Sequence, residues 1–101
     1  MTHQVWFTPV AKEHLREIWE YTVAKWGTDQ AEKYLLGIDE QLALIAENPE
    51  MGFDHPKITP GCRSYPYESH VIFYLLTPDE VQVVGVLHGR RDLPNRILEL
   101  L

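Results

Sequence analysis

At 101 residues, with 45% hydrophobic and 24% charged side chains, the chain has the length of one domain and the composition of a folded protein, not a disordered one. Nine Lys and Arg against fifteen Asp and Glu leave a formal net charge of −6, which argues against a general nucleic-acid binder. A single cysteine, Cys62, excludes an internal disulfide and fits a reducing cytoplasm; no apolar run reaches a membrane-spanning length, and the N-terminus lacks a basic-then-apolar leader.

His3 to Phe7 alternates and carries Val5, Trp6 and Phe7, the pattern of a short first strand. Thr8-Pro9 then reads as a helix start: a hydroxyl to cap and a proline where no amide donor is needed. Ala11, Leu15, Ile18, Trp19, Thr22 and Trp26 follow at spacings of three and four, making one apolar stripe that Gly27 ends. Thr28 or Asp29 is the expected cap of a second helix, whose stripe is Ala31, Tyr34, Leu35, Ile38, Leu42, Ile45 and Ala46. Gly37 within it points to a close approach by a neighbouring element, and Asn48-Pro49 stops it. Two helices joined so tightly must fold back on each other, giving a hairpin over about 9–47.

Residues 48–61 hold three prolines and two glycines and read as a long loop. Strand-like runs follow at Cys62 to Pro66, His70 to Leu76 and Val81 to His88, so the sheet region spans about 62–88. Thr77-Pro78-Asp79-Glu80 forms a four-residue turn, which predicts pairing of Leu76 with Val81, Tyr74 with Val83, Ile72 with Gly85 and Val71 with Val86. One face then holds His70, Ile72, Tyr74, Leu76, Val81, Val83 and Leu87. The other holds Val71, Phe73, Leu75, Gln82, Val84, Val86 and His88. A short helix is expected over about 93–101. The expected fold is α+β, β-α-α-β-β-β(-α), one domain over 1–101 with the hairpin packed on one face of a small, mainly antiparallel sheet.

Both faces of that sheet are apolar, yet the hairpin covers only one. Either Ile97, Leu98, Leu100 and Leu101 fold over the second, or a partner chain does; eight residues cover little area, which favours a partner. Charge is also divided. Residues 1–56 carry four basic and ten acidic side chains, whereas residues 57–101 carry five of each. Three of the nine basic residues, Arg90, Arg91 and Arg96, crowd near the C-terminus.

The sequence shows no glycine-rich phosphate loop, no cysteine pair and no metalloprotease motif, so no metal or cofactor is expected. His14 and Glu17, three apart on a helix, read as a surface pair, and Cys62 as a half-buried strand residue. Arg63, His70, His88, Arg90 and Arg91 remain, on strands or just past them. Such side chains suit a phosphodiester, and with His88 moving protons they suit RNA cleavage. The alternative is structural: ion pairing of Arg91 with Asp92, and hydrogen-bonded sheet histidines.

Trp26-Gly27 with Gln30-Ala31, Ala46-Glu47-Asn48-Pro49 with Gly52, Gly61-Cys62-Arg63, Ser69-His70-Val71-Ile72-Phe73-Tyr74 and Val86-Leu87-His88 stand in order along the chain. Together they resemble the RelE/ParE superfamily of bacterial toxins, from about Val5 to Asp92, and the ParE branch more closely. The resemblance implies the toxin of a type II toxin–antitoxin system: cytoplasmic, non-enzymatic, and held in a hetero-oligomer by a ParD-like antitoxin whose own N-terminal domain binds DNA. It further implies a protein target, DNA gyrase, and no direct sequence-specific DNA binding. Arg63, His88, Arg90 and Arg91 are the candidate target contacts, and Val71, Phe73, Tyr74, Val84 and Val86 the candidate antitoxin contacts. The rivals are a ribosome-dependent mRNA endoribonuclease using Arg63, His88 and Arg90, and an inactive remnant that binds antitoxin and represses its operon. A net charge of −6 and a tail without tyrosine weigh against docking on ribosomal RNA.

Overall fold

In the computed structural model, which describes residues 2–89 and 93–101, a strand β1 (Gln4–Phe7) gives way at Thr8 to the helix α1 (Pro9–Trp26). Thr8 is extended and its hydroxyl accepts from the Ala11 amide at 3.1 Å, while Pro9 opens the first turn. Gly27 closes α1 with φ 92° and ψ 172°, a backbone region that only glycine enters cheaply. The same glycine starts α2 (Thr28–Glu47), so neither Thr28 nor Asp29 serves as its cap: the turn is one residue long and both already lie inside the helix. Asn48 ends α2 with φ −134° and ψ 68°.

The apolar stripe of α2 is buried or half-buried along its whole length. That of α1 stops short of its last member. Trp26 is 60% exposed, packing edge-on with Tyr21 under the Lys25 ammonium at the hairpin tip, beyond the reach of the sheet. Gly37 does mark a close approach. A Cβ there would lie 1.8 Å from the Tyr67 hydroxyl, so the tyrosine occupies the missing side chain's place.

The remaining elements are β2 (Phe53–Asp54), β3 (Cys62–Tyr67), β4 (His70–Leu76), β5 (Glu80–His88) and α3 (Leu93–Leu100). The sheet runs β1-β5-β4-β3-β2, antiparallel except that β1 lies parallel to β5 at one edge. The start of β1 is pinned by His3 N to Ala46 O at 2.9 Å and Gln4 N to Asp79 O at 3.1 Å. Residues 48–61 are not wholly loop. Phe53 and Asp54 pair with Ser64 and Arg63 as a two-residue edge strand, too short for any periodicity to announce.

The β4–β5 ladder starts as predicted, Leu76 opposite Val81 and Tyr74 opposite Val83. It then slips by one residue. Phe73 stands opposite Gly85, Ile72 opposite Val86, Val71 opposite Leu87 and His70 opposite His88, leaving Val84 without a counterpart. This is a β-bulge, and it corrects the predicted pairing beyond Val83. Because side chains alternate with a period of two, one extra residue exchanges the faces of everything after it. Val86 therefore joins the hairpin core with Ile72, Tyr74, Val81 and Val83, beneath Ala11, Ile18, Ile38, Leu42 and Ile45. Leu87 turns to the other face and joins Cys62, Phe73 and Val84.

That second face is covered from within. Ile97 of α3 is fully buried on it, with Leu93, Leu100 and Ile58 packed around. Full burial of one such isoleucine contributes about 1.5–3 kcal/mol, so α3 supplies on this face a cover that the sequence gives mainly to a partner chain. The predicted C-terminal helix is thus both present and the cover.

Candidate functional site

His70 and His88 occupy opposed positions at the far end of β4 and β5, ring centroids 5.5 Å apart and nearly perpendicular. The bulge brings them together, since the regular ladder would have placed His88 on the face of α3. Tyr34, projecting from α2, sets its hydroxyl 2.7 Å from His70 Nδ1. Tyr67, opposite His70 across β3, packs edge-on against Tyr34 at 5.2 Å. Gly89 N donates to Ser69 O at 2.9 Å, tying the exit of β5 to the β3–β4 turn. The result is a rim where two histidines and two tyrosines from four elements meet. Burial pushes the Tyr34 hydroxyl above its ordinary pKa, partly offset by a backbone hydrogen bond at Ser69. Tyr67 is raised as well, by burial and then by Glu68 and Glu40. Both phenols are therefore neutral at pH 7 and act as hydrogen-bonding groups.

Arg90 and Arg91, which follow His88 and Gly89 in sequence, lie outside the described residues. Arg63 is described, and it is not at this rim. It stands opposite Tyr74, four residues along β3 from Tyr67, so β4 lies between it and His88 and about 13 Å of strand length separates the two as well. Its guanidinium donates to Glu50 O at 3.0 Å and Gly52 O at 2.8 Å. Beside it the fully buried Tyr74 donates its hydroxyl proton to Pro49 O at 2.7 Å and accepts from Gly52 N at 3.1 Å. Arg63 and Tyr74 thus clasp the turn after α2 between them. Burial raises Tyr74, while the Gly52 amide and the Arg63 charge pull the other way.

Of the candidate antitoxin contacts, Tyr74 and Val86 lie under the helical hairpin, and Phe73 and Val84 under α3; all four are at most 3% exposed. Val71 is half-buried at the margin of the second cluster. Cys62 is fully buried, with its thiol pushed up by burial and by Asp54, which makes it an inert packing residue. Among the described residues no group of three or more His, Cys, Asp or Glu is placed to hold a metal ion.

Three partnerships escaped the sequence reading. His14 is no surface pair: its Nδ1 accepts from the Val86 amide at 3.1 Å. The signal was present, because His14 falls three after Ala11 and four before Ile18, on the buried stripe. His55 Nε2 and the buried Ser64 hydroxyl are 2.6 Å apart, joined only once β2 pairs with β3. Tyr34 was assigned to the core, where its ring belongs, but its hydroxyl reaches the rim.

The family profile described as the ParE toxin of the type II toxin–antitoxin system parDE matches residues 5–93. Toxin ParE1 of Mycobacterium tuberculosis is 38% identical over 98 residues, covering 96% of this chain and 100% of that protein. Toxin ParE of Escherichia coli is 32% identical over 95 residues, covering 93% and 92%. A structure of the chromosomal ParDE system of P. aeruginosa shares the fold, with a TM-score of 0.73 at 21% identity over 86% of this chain and 96% of that one. From β1 through the rim and into α3, then, sequence and fold agree, and the chain belongs to the ParE family, the toxins of type II toxin–antitoxin systems.

Proposed function

We propose that this toxin acts by binding and inhibiting DNA gyrase, without chemistry of its own, and is silenced by a cognate ParD-like antitoxin. The observation that carries the reading is the family match over residues 5–93, which takes in every element of the sheet and hairpin. The target contact is the rim at the exit of β5, where His88 stands against His70 and the chain continues into Arg90 and Arg91. Arg63 contributes through the turn it clasps, presenting the exposed Met51 and Phe53. An antitoxin segment reaches Val71 directly, and Phe73 and Val84 only if α3 leaves the sheet; Tyr74 and Val86 stay closed to it.

The ribonuclease reading draws on the same rim, since histidine and tyrosine are groups that move protons, and the sequence follows His88 with two arginines of the kind that stabilise phosphate charge. Purified protein in a gyrase supercoiling assay, run beside a translating ribosome with primer extension on the mRNA, separates the two. Loss of supercoiling with intact mRNA is expected. Cleaved codons with normal supercoiling would overturn the proposal, and silence in both would mark an inactive remnant. In the cell, the toxin is expected in the cytoplasm with its antitoxin; among the described residues no helix is long and apolar enough to cross a membrane.

A further inference from the structure

β1 supports β5 only as far as Phe7 opposite Val83, and the last bond on that side runs from Thr8 N to Val83 O at 3.0 Å. Past this point no strand among the described residues lies beside that edge of β5. Val86 is nonetheless 3% exposed, and its amide, directed away from β4, needs an acceptor. His14 of α1 supplies one: Nδ1 lies 3.1 Å from Val86 N, which makes that nitrogen the unprotonated one. The neighbouring Gly85 provides the room. A Cβ there would come within 2.9 Å of Leu100 Cδ1 on α3 and 3.5 Å of His14 Cε1. The bulge at Val84 is therefore held from both sides, by an acceptor from one helix and by close packing against another.

From this we infer that His14 is a positioning residue for the target-binding rim: by accepting the Val86 amide it holds the bulge that turns His88 to face His70. The path is short. The ring nitrogen fixes the backbone at 86, the alternation of the strand carries the choice of face to 88, and the segment bearing Arg90 and Arg91 leaves from there. A regular ladder without the bulge would place His88 on the α3 face, away from Tyr34 and His70. The functional part of this inference rests on the gyrase-inhibition reading; the positional part does not.

The test has two separable arms. In uniformly ¹⁵N-labelled wild-type protein, a scalar coupling across the hydrogen bond is expected between the Val86 amide nitrogen and His14 Nδ1, with nuclear Overhauser contacts between the His70 and His88 rings. Absence of both overturns the inference without reference to any variant. His14→Asn keeps an acceptor near the Nδ1 position and is expected to retain the His70–His88 contacts and to inhibit supercoiling within about twofold of wild type. His14→Leu fills the space with no acceptor; inhibition is expected to weaken by about tenfold or more, the scale of one orphaned buried donor, and the ring contacts to vanish. If His14→Leu does not fold, His14→Ala, which removes the acceptor without filling its space, takes its place with the same expected losses. A folded His14→Leu that keeps the ring contacts and wild-type potency sinks the proposal. Should wild type itself leave gyrase untouched, the functional reading fails alone, and the coupling and ring contacts still decide the role of His14.

Discussion

Tyr74 shows how one residue joins three parts of the chain. It sits in a central strand, fully buried, with its ring in the hairpin core and its hydroxyl bridging Pro49 O and Gly52 N. Tyr74→Phe keeps the ring and removes the bridge, leaving a carbonyl and an amide without their partner. A loss of about 1–3 kcal/mol is expected in urea unfolding at pH 7. The same residue dictates a pH dependence. Burial raises the pKa of Tyr74, Tyr34 and Tyr67 above the unfolded value near 10, and that of Cys62 above its ordinary value. The unfolded chain therefore gives up these protons first as pH rises. The stability they represent is complete below about pH 8 and is lost through the alkaline range, the Cys62 part first and the tyrosine part above about pH 9. Unfolding curves between pH 7 and 11 should show that decline, and Tyr74→Phe should make it shallower. None of this was legible from the sequence, where Tyr74 and Arg63 stand eleven residues apart with nothing to say they close on one turn. Spacing names the residues on a face; it does not say which backbone groups their polar ends will meet.

Among the elements, α2 was readable along its whole stripe, though not at its cap, because the apolar positions keep one period through the helix. β5 was readable as a strand but not in its pairing. Residues 83–87 are Val-Val-Gly-Val-Leu, and both faces of the sheet are apolar, so a slip of one residue puts no polar group in the wrong place. The bulge leaves no trace in hydrophobicity; its requirements, an acceptor at His14 and no side chain at Gly85, lie on other features. α3 was expected as a helix and underrated as a cover. Ile97 is wholly buried while its neighbour Leu98 is 52% exposed, so the two test the cover cleanly. Ile97→Ala is expected to lose about 2–4 kcal/mol by denaturant unfolding, through the cavity it leaves over Phe73 and Val84. Leu98→Ala on the same turn should change stability by no more than about 0.5 kcal/mol. Equal effects for the two would mean that α3 does not seat on the sheet as described.

Across the whole molecule the layers carry different charge. The net −6 belongs to residues 1–56, whose two helices face one side of the sheet, while residues 57–101, which hold β3 to β5 and α3, balance to zero. Partners therefore meet two unlike surfaces, an acidic helical one and a neutral one whose rim leads into Arg90 and Arg91. The layered fold was legible in the order of helical and strand-like runs; the place of β1 was not, because a four-residue strand of mixed exposure fits either edge of a sheet.

That place matters for how the protein resists force. β1 and β5 are parallel neighbours, so opposite pulls ahead of β1 and beyond α3 load their hydrogen bonds in shear, together instead of one after another. The two directions of entry are not equivalent. A motor that grips ahead of β1 strips an edge strand held by one neighbour. One that grips beyond α3 first peels a short helix, then meets β5, laddered to β4 on one side and β1 on the other. Optical-trap measurements with a processive unfoldase should show faster unfolding from the β1 side and a pause at β5 from the other, so the sheet order gives the toxin a weak end and a strong one.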